Sequence, residues 1–132
     1  MKTRGGRILV VDDDPQVRGA VVLGLRDRGY QVMGAEDGLQ ALHHLQRGEF
    51  DVVVTDVQMP RLDGLALLRE IRGKGYALAV VVQTARYDSS LEVLFRRAGA
   101  FSVLVKGRPF EELVRSVEAA SRASQELRAR CA

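Results

Sequence analysis

The chain has no tryptophan, a single cysteine and few aromatic residues, which make up 5% of its 132 positions. One thiol, Cys131, cannot close an internal disulfide. No Cys/His spacing suits a zinc site, so disulfide-stapled and zinc-ribbon classes are excluded and Cys131 reads as a free thiol near the chain end. With so few aromatics there is no platform for stacking bases, and the net charge of +3 is spread among interleaved acids and bases rather than gathered in a run. Direct nucleic-acid binding is therefore not expected. No apolar run approaches the length that spans a bilayer, and Met1–Arg7 leads into only four apolar residues, too few for a secretory signal. The expectation is a protein without membrane association, located in the cytoplasm. Proline is scarce, with three in the chain, and there is no low-complexity stretch, internal repeat or interdomain linker.

What is present is an ordinary globular balance, 46% hydrophobic and 28% charged, at a length typical of one domain. Residues 1–132 are read as a single domain with a core from about 7 to 120, and 121–132 as a helix extension or the start of a linker. Apolar runs start at Ile8, Tyr30, Asp51, Leu78 and Ser102. Those at Ile8, Val52 and Leu78 are continuous rather than alternating, as expected of strands covered on both faces. Between them the spacing turns helical. Val17, Val21 and Leu25 follow Pro15; Leu39, Leu42 and Leu45 precede Gly48; Leu65, Leu68 and Ile71 precede Gly73. Leu91, Leu94, Phe95 and Ala98 precede Gly99, and Phe110, Leu113, Val114 and Val117 follow Pro109. Strand and helix alternate five times. Right-handed crossovers turn that order into a doubly wound α/β domain, a parallel sheet with helices on both faces.

In such sheets chemistry gathers at the carboxyl ends of the strands. The first strand runs into Asp12-Asp13-Asp14, the third ends at Thr55-Asp56, the fourth at Gln83-Thr84-Ala85 and the fifth at Val105-Lys106. Acid is concentrated in two places, Asp12 to Asp14 and the stretch holding Asp51, Asp56 and Asp63. Carboxylates converging in one cleft repel unless a cation neutralises them, and a hard divalent ion with oxygen ligands suits the set, Mg²⁺ first and Mn²⁺ in its place. Beside such an ion one carboxylate can attack phosphorus, with a lysine and a hydroxyl sharing the peripheral oxygens. Neither a Gly-rich dinucleotide fingerprint nor a P-loop follows the first strand.

The segments Ile8-Leu9-Val10-Val11-Asp12-Asp13-Asp14 and Asp51 to Gly64, with Met59-Pro60 and Asp63-Gly64, resemble the response regulator receiver domain, as do Val82-Gln83-Thr84-Ala85 and Gly99-Ala100 leading to Lys106. The resemblance runs from about Arg7 to about Ala120. It implies a flavodoxin-like five-stranded sheet of order 2-1-3-4-5. It makes Asp56 the phosphoacceptor, Asp12 and Asp13 the acidic pair, with Asp13 a direct metal ligand, and lends the metal the backbone carbonyl of Gln58. Thr84 becomes the switch hydroxyl and Lys106 the family's amine, while Asp14 falls outside the pair and caps the following helix. It further implies a sensor histidine kinase or phosphotransfer protein as donor, an effector domain or a second copy as partner, and a signalling switch rather than a turnover enzyme. Enzymes of the haloacid dehalogenase type, a competing class, place a second Asp two residues after the nucleophile, where this chain has Gln58.

Two departures lie at the fifth strand. The family follows its Lys with Pro and an aromatic; here Lys106-Gly107-Arg108-Pro109-Phe110 reads as if two residues were inserted, and the bond after Lys106 should be trans. Val103 stands where the family often has a mobile Tyr or Phe, leaving Phe101 as a candidate substitute. These departures keep open an alternative, a phosphorylation-independent pseudo-receiver acting as a protein-binding module. The adjacent His43 and His44 face different directions on a helix and read as surface residues. Leu113, Val117, Ala120, Ser124 and Leu127 recur at spacings of four and three, which suggests either a coiled-coil seam or a long frayed last helix.

Overall fold

The computed structural model describes residues 6–131; the side chain of Cys131, and with it the free-thiol reading, lies outside the described residues. Strands β1 (Arg7–Val11), β2 (Gln31–Ala35), β3 (Val52–Asp56), β4 (Ala79–Thr84) and β5 (Ser102–Val105) alternate with helices α1 (Pro15–Asp27), α2 (Gly38–Arg47), α3 (Gly64–Gly73), α4 (Ser89–Arg97) and α5 (Phe110–Cys131). All four strand pairings are parallel and the order is β2-β1-β3-β4-β5. The fold is the flavodoxin-like arrangement that the alternation of elements and the resemblance led us to expect.

Two cores follow from the two-residue period of the strands. Leu9, Val11, Val53, Val80, Val82 and Val103 point to the face covered by α2, α3 and α4, against Ala41, Leu68, Ile71 and Phe95. Ile8, Val10, Val52, Val54 and Val81 point to the other face, against Val21 and Leu25 of α1 and Leu113 and Val117 of α5. Nearly every side chain of β1, β3 and β4 is therefore buried, which is why those runs are continuous in sequence. β2 is an edge strand with only Val32 and Ala35 buried; it ends at Ala35 rather than Met33.

The helices start on aspartates. Asp14, Asp37, Asp63 and Asp88 cap α1, α2, α3 and α4, each side chain accepting from backbone N–H groups of the first turn. The capping of α1 by Asp14 is as expected. In α2 the cap sets the phase differently from the leucine spacing: Gly38, Ala41 and Leu45 are buried, Leu42 is half-buried and Leu39 faces solvent. Leu94 of α4 likewise points outward while Phe95 fills the core.

α5 also differs from a coiled-coil seam. Leu113, Val117, Ala120 and Ser124 are buried within the domain, and only Leu127 of that repeat is exposed. Past Ala120 the helix is fastened to the sheet: Ser124 Oγ donates to the Asp51 carbonyl at 2.6 Å, and Arg128 pairs with the Asp51 carboxylate. Asp51 also accepts from the backbone N–H of Arg7 at 2.8 Å. Although grouped with Asp56 in sequence, it is a structural junction at the opposite end of β3. Among the described residues no helix is long and apolar enough to cross a membrane.

Candidate functional site

β1 and β3 lie side by side in the middle of the sheet, so the residues that follow them emerge together at one rim. Carboxylate oxygens of Asp12, Asp13 and Asp56 lie within 4.8 Å of one another. Asp12 is buried, Asp56 half-buried and Asp13 exposed, so the group opens to solvent on one side. Each like-charged pair at such a distance repels by roughly 3–4 kcal/mol at an effective dielectric constant of 20.

Lys106 answers part of that repulsion. Its Nζ donates to Asp12 Oδ2 at 2.9 Å and to Asp56 Oδ2 at 3.0 Å. Burial by itself pulls the ammonium pKa down, but the hydrogen bonds and charges of Asp12 and Asp56 together outweigh it and hold the group above its ordinary 10.5. One ammonium against three carboxylates leaves the pocket short of positive charge, and the uncommitted donors are oxygens. That set fits a hard divalent cation.

The second oxygens of Asp12 and Asp56 are fixed by backbone. Asp56 Oδ1 accepts from the N–H of Val57 at 2.7 Å, and Asp12 Oδ1 from the N–H of Asp14 at 3.0 Å. The lengthened loop does not displace the lysine. Its backbone N–H is held by the Thr84 carbonyl at 2.8 Å, no cis peptide bond occurs among the described residues, and the change of direction comes after it, at Gly107 with φ +84°. Left-handed backbone of this kind suits glycine, and open space surrounds the position.

Thr84 is buried at the end of β4, where its Oγ1 donates to the Arg86 carbonyl at 3.0 Å and accepts from the Arg86 N–H at 3.2 Å. Its hydroxyl is thus engaged with the β4–α4 loop. Gln58 is exposed on the loop leaving β3. Val103 packs in the core under α4, whereas Phe101 is half-buried on the α1/α5 side and precedes β5, near Val80 rather than Thr84. The sheet face and strand end both remove Phe101 as a substitute for a mobile aromatic next to Thr84. His43 is exposed and His44 half-buried on α2, away from the strand ends.

Three residues near the site were not apparent from sequence. Arg18 of α1 crosses Gly34 and donates from Nη1 to the Asp12 carbonyl at 2.7 Å. Arg61, on the loop after β3, pairs with the buried Asp37. The one local signal was Asp37-Gly38-Leu39-Gln40, an N-cap pattern: Asp37 Oδ1 accepts from the Gln40 N–H at 2.8 Å, and Gln40 Oε1 accepts from the Glu36 N–H at 2.7 Å.

A doubly wound α/β domain with an acidic pocket and a lysine at the carboxyl ends of its strands defines a small class of modules, and comparison with known proteins narrows it. Residues 8–118 match the model of the response regulator receiver domain, and the chain belongs to that family. It is similar to Response regulator MprA of Mycobacterium tuberculosis, 44% identical over 113 residues, covering 86% of this chain and 49% of the relative. The Mycobacterium leprae protein of the same name is 43% identical over 113 residues and 50% covered. The chain thus spans about half the length of the curated relatives it matches. Among solved structures it resembles the Francisella response regulator 1452 receiver domain, with a TM-score of 0.85, 26% identity, and coverage of 89% and 98% of the two chains. It also resembles response regulator TrrA of Thermotoga maritima in complex with Mg(2+)-BeF, with a TM-score of 0.78, 36% identity, and coverage of 91% and 99%.

Proposed function

We propose that this receiver domain of a two-component response regulator is a phosphorylation switch in which Asp56 takes a phosphoryl group with a divalent cation, Mg²⁺ foremost, held at Asp12, Asp13, Asp56 and the Gln58 carbonyl. The observation that carries the reading is the convergence of three carboxylates and the Lys106 ammonium on one rim. An Asp56 carboxylate oxygen forms the bond to phosphorus while the bond from phosphorus to the donor's leaving atom breaks. A phosphohistidine of a sensor kinase or phosphotransfer protein is the donor of matching chemistry. When bound, the cation supplies positive charge to the peripheral phosphoryl oxygens.

The chain's own groups do the rest. Val57 N–H and Lys106 fix the orientation of the Asp56 carboxylate, and Lys106, already between Asp12 and Asp56, is placed to follow the negative charge as it moves outward onto the phosphoryl group. Thr84 would exchange its bonds to Arg86 for one to the new oxygens, pulling the β4–α4 loop inward; that exchange biases two arrangements of the domain's surface. The response regulator TrrA, 36% identical, is described in complex with Mg(2+)-BeF, which accords with this reading. The relatives' extra length leaves room for an effector domain as the switch's output. The module is a signalling protein that catalyses its own modification rather than turning over a substrate.

The pseudo-receiver alternative drew on the lengthened fifth-strand loop and on Val103; the seating of Lys106 between two carboxylates speaks against the first of these. The test is intact mass after incubation with a small phosphoryl donor, with and without Mg²⁺, for the wild-type chain and Asp56→Asn. The expected result is a Mg²⁺-dependent gain of one phosphoryl group that the variant lacks. A folded wild-type chain that gains nothing would refute the switch.

A further inference from the structure

The loop from Val57 to Asp63 joins β3 to α3 and includes Gln58. At its centre Arg61 has φ +68°, the one left-handed non-glycine among the described residues. The Leu62 N–H donates to the Pro60 carbonyl at 2.7 Å, which closes a γ-turn around Arg61. A γ-turn with positive φ at its centre is rare and strained for an L-residue, and glycine would adopt it freely.

Arginine holds it through a contact with a different loop. Arg61 Nε donates to Asp37 Oδ2 at 2.8 Å, and Nη2 donates to the same oxygen, with Glu36 Oε1 at 3.7 Å from Nη2. The guanidinium is mostly exposed, but its partner is not: the Asp37 side chain is 3% exposed and is also the N-cap of α2. The loop is pressed onto the same helix end. A Cβ on Gly38 would stand 2.5 Å from the Leu62 carbonyl oxygen, so backbone meets backbone there.

We propose that Arg61 is a positioning residue for the cation site: its lock onto Asp37 holds the β3–α3 loop against the start of α2 and so fixes the Gln58 carbonyl relative to Asp12, Asp13 and Asp56. The inference rests on the cation reading given above. The charged pair acts on the site through the backbone. Partners that orient ligands in this way typically change metal affinity by about 10-fold to 100-fold when removed.

The sign of the effect separates positioning from electrostatics. Arg61→Gly deletes a positive charge, so a field effect alone tightens Mg²⁺ binding; Asp37→Asn deletes a negative one and weakens it. A clamp weakens binding in both. Both variants keep the local fold, because glycine suits φ +68° and asparagine caps a helix as well as aspartate does.

The experiment is a Mg²⁺ titration of the wild-type chain, Arg61→Gly, Asp37→Asn and the double variant, followed by backbone amide shifts, with thermal unfolding and amide exchange of residues 57–63 on each. The expected result is a loss of affinity of about tenfold in either single variant, little further loss in the double, and faster loop exchange. Arg61→Lys should recover part of the affinity. Unchanged or tighter binding by Arg61→Gly, in a chain whose wild type binds Mg²⁺, overturns the proposal alone. If the wild type itself takes no Mg²⁺, the cation reading falls and the proposal with it. Should Asp37→Asn unfold, the sign of the Arg61→Gly effect still decides.

Discussion

Lys106 sits where two carboxylates would otherwise face each other, 2.9 Å from Asp12 and 3.0 Å from Asp56. Replacing it with methionine keeps the length of the side chain and removes the charge. Lys106→Met should destabilise the fold by about 1–3 kcal/mol without metal, and millimolar Mg²⁺ should recover most of that loss. Thermal unfolding with and without Mg²⁺ checks this; a variant as stable as wild type in the absence of metal would count against the charge argument. Asp37 makes the corresponding case at acid pH. The Gln40 N–H and the Arg61 guanidinium outweigh its burial and hold the carboxyl below its ordinary 3.8. A depressed folded pKa contributes stability that is present above the ordinary value and lost as pH falls through the folded one. The wild type should therefore be more stable than Asp37→Asn at neutral pH, and the gap should close below about pH 4. Urea midpoints across that range would measure it, and a gap independent of pH would show that the ionised form contributes nothing.

The last helix is held at two levels, first by apolar packing of Leu113, Val117 and Ala120, then by polar contacts from its later turns. Arg128 reaches the Asp51 carboxylate, and Ser124 the Asp51 carbonyl, which also accepts the Ala79 N–H at 3.0 Å. Arg128→Ala should lower stability by about 1–2 kcal/mol, because Asp51 is buried and its carboxylate would keep only the bond from the Arg7 N–H. Chemical denaturation measures that directly. Faster amide exchange beyond Ala120, with the rest of the helix unchanged, would place the effect in the last turns. Single-sequence periodicity could not separate this latch from a coiled-coil seam. Both place a residue every three or four positions, and only the partner surface distinguishes them.

Across the whole domain all five strands were legible in sequence, and the clearest were those whose burial is nearly complete. β1, β3 and β4 read as continuous apolar runs because helices cover both their faces. β2 was weaker because it is an edge strand, and its last residues, Gly34 and Ala35, are too small to register as a pattern. The leucine spacing misplaced Leu39 and Leu94, because small or aromatic neighbours, Ala41 and Phe95, fill the core instead. At the site, the residues that end a strand were visible because chain order delivers them to one rim. Arg18, Asp37 and Arg61 were not: the Asp37–Arg61 pair joins segments far apart in the chain, and an arginine on a helix or a loop resembles any solvated charge.

The break in direction at Gly107 comes after the last atom that anchors the lysine. The ammonium is tied to two carboxylates and its peptide N–H to the neighbouring strand, while the space around Gly107 is open. Loop length and site geometry are therefore separate variables in this domain. Between Gly107 and Pro109 the chain is a natural splice point, where residues could be added, removed or exchanged for a reporter sequence while the lysine keeps its seat.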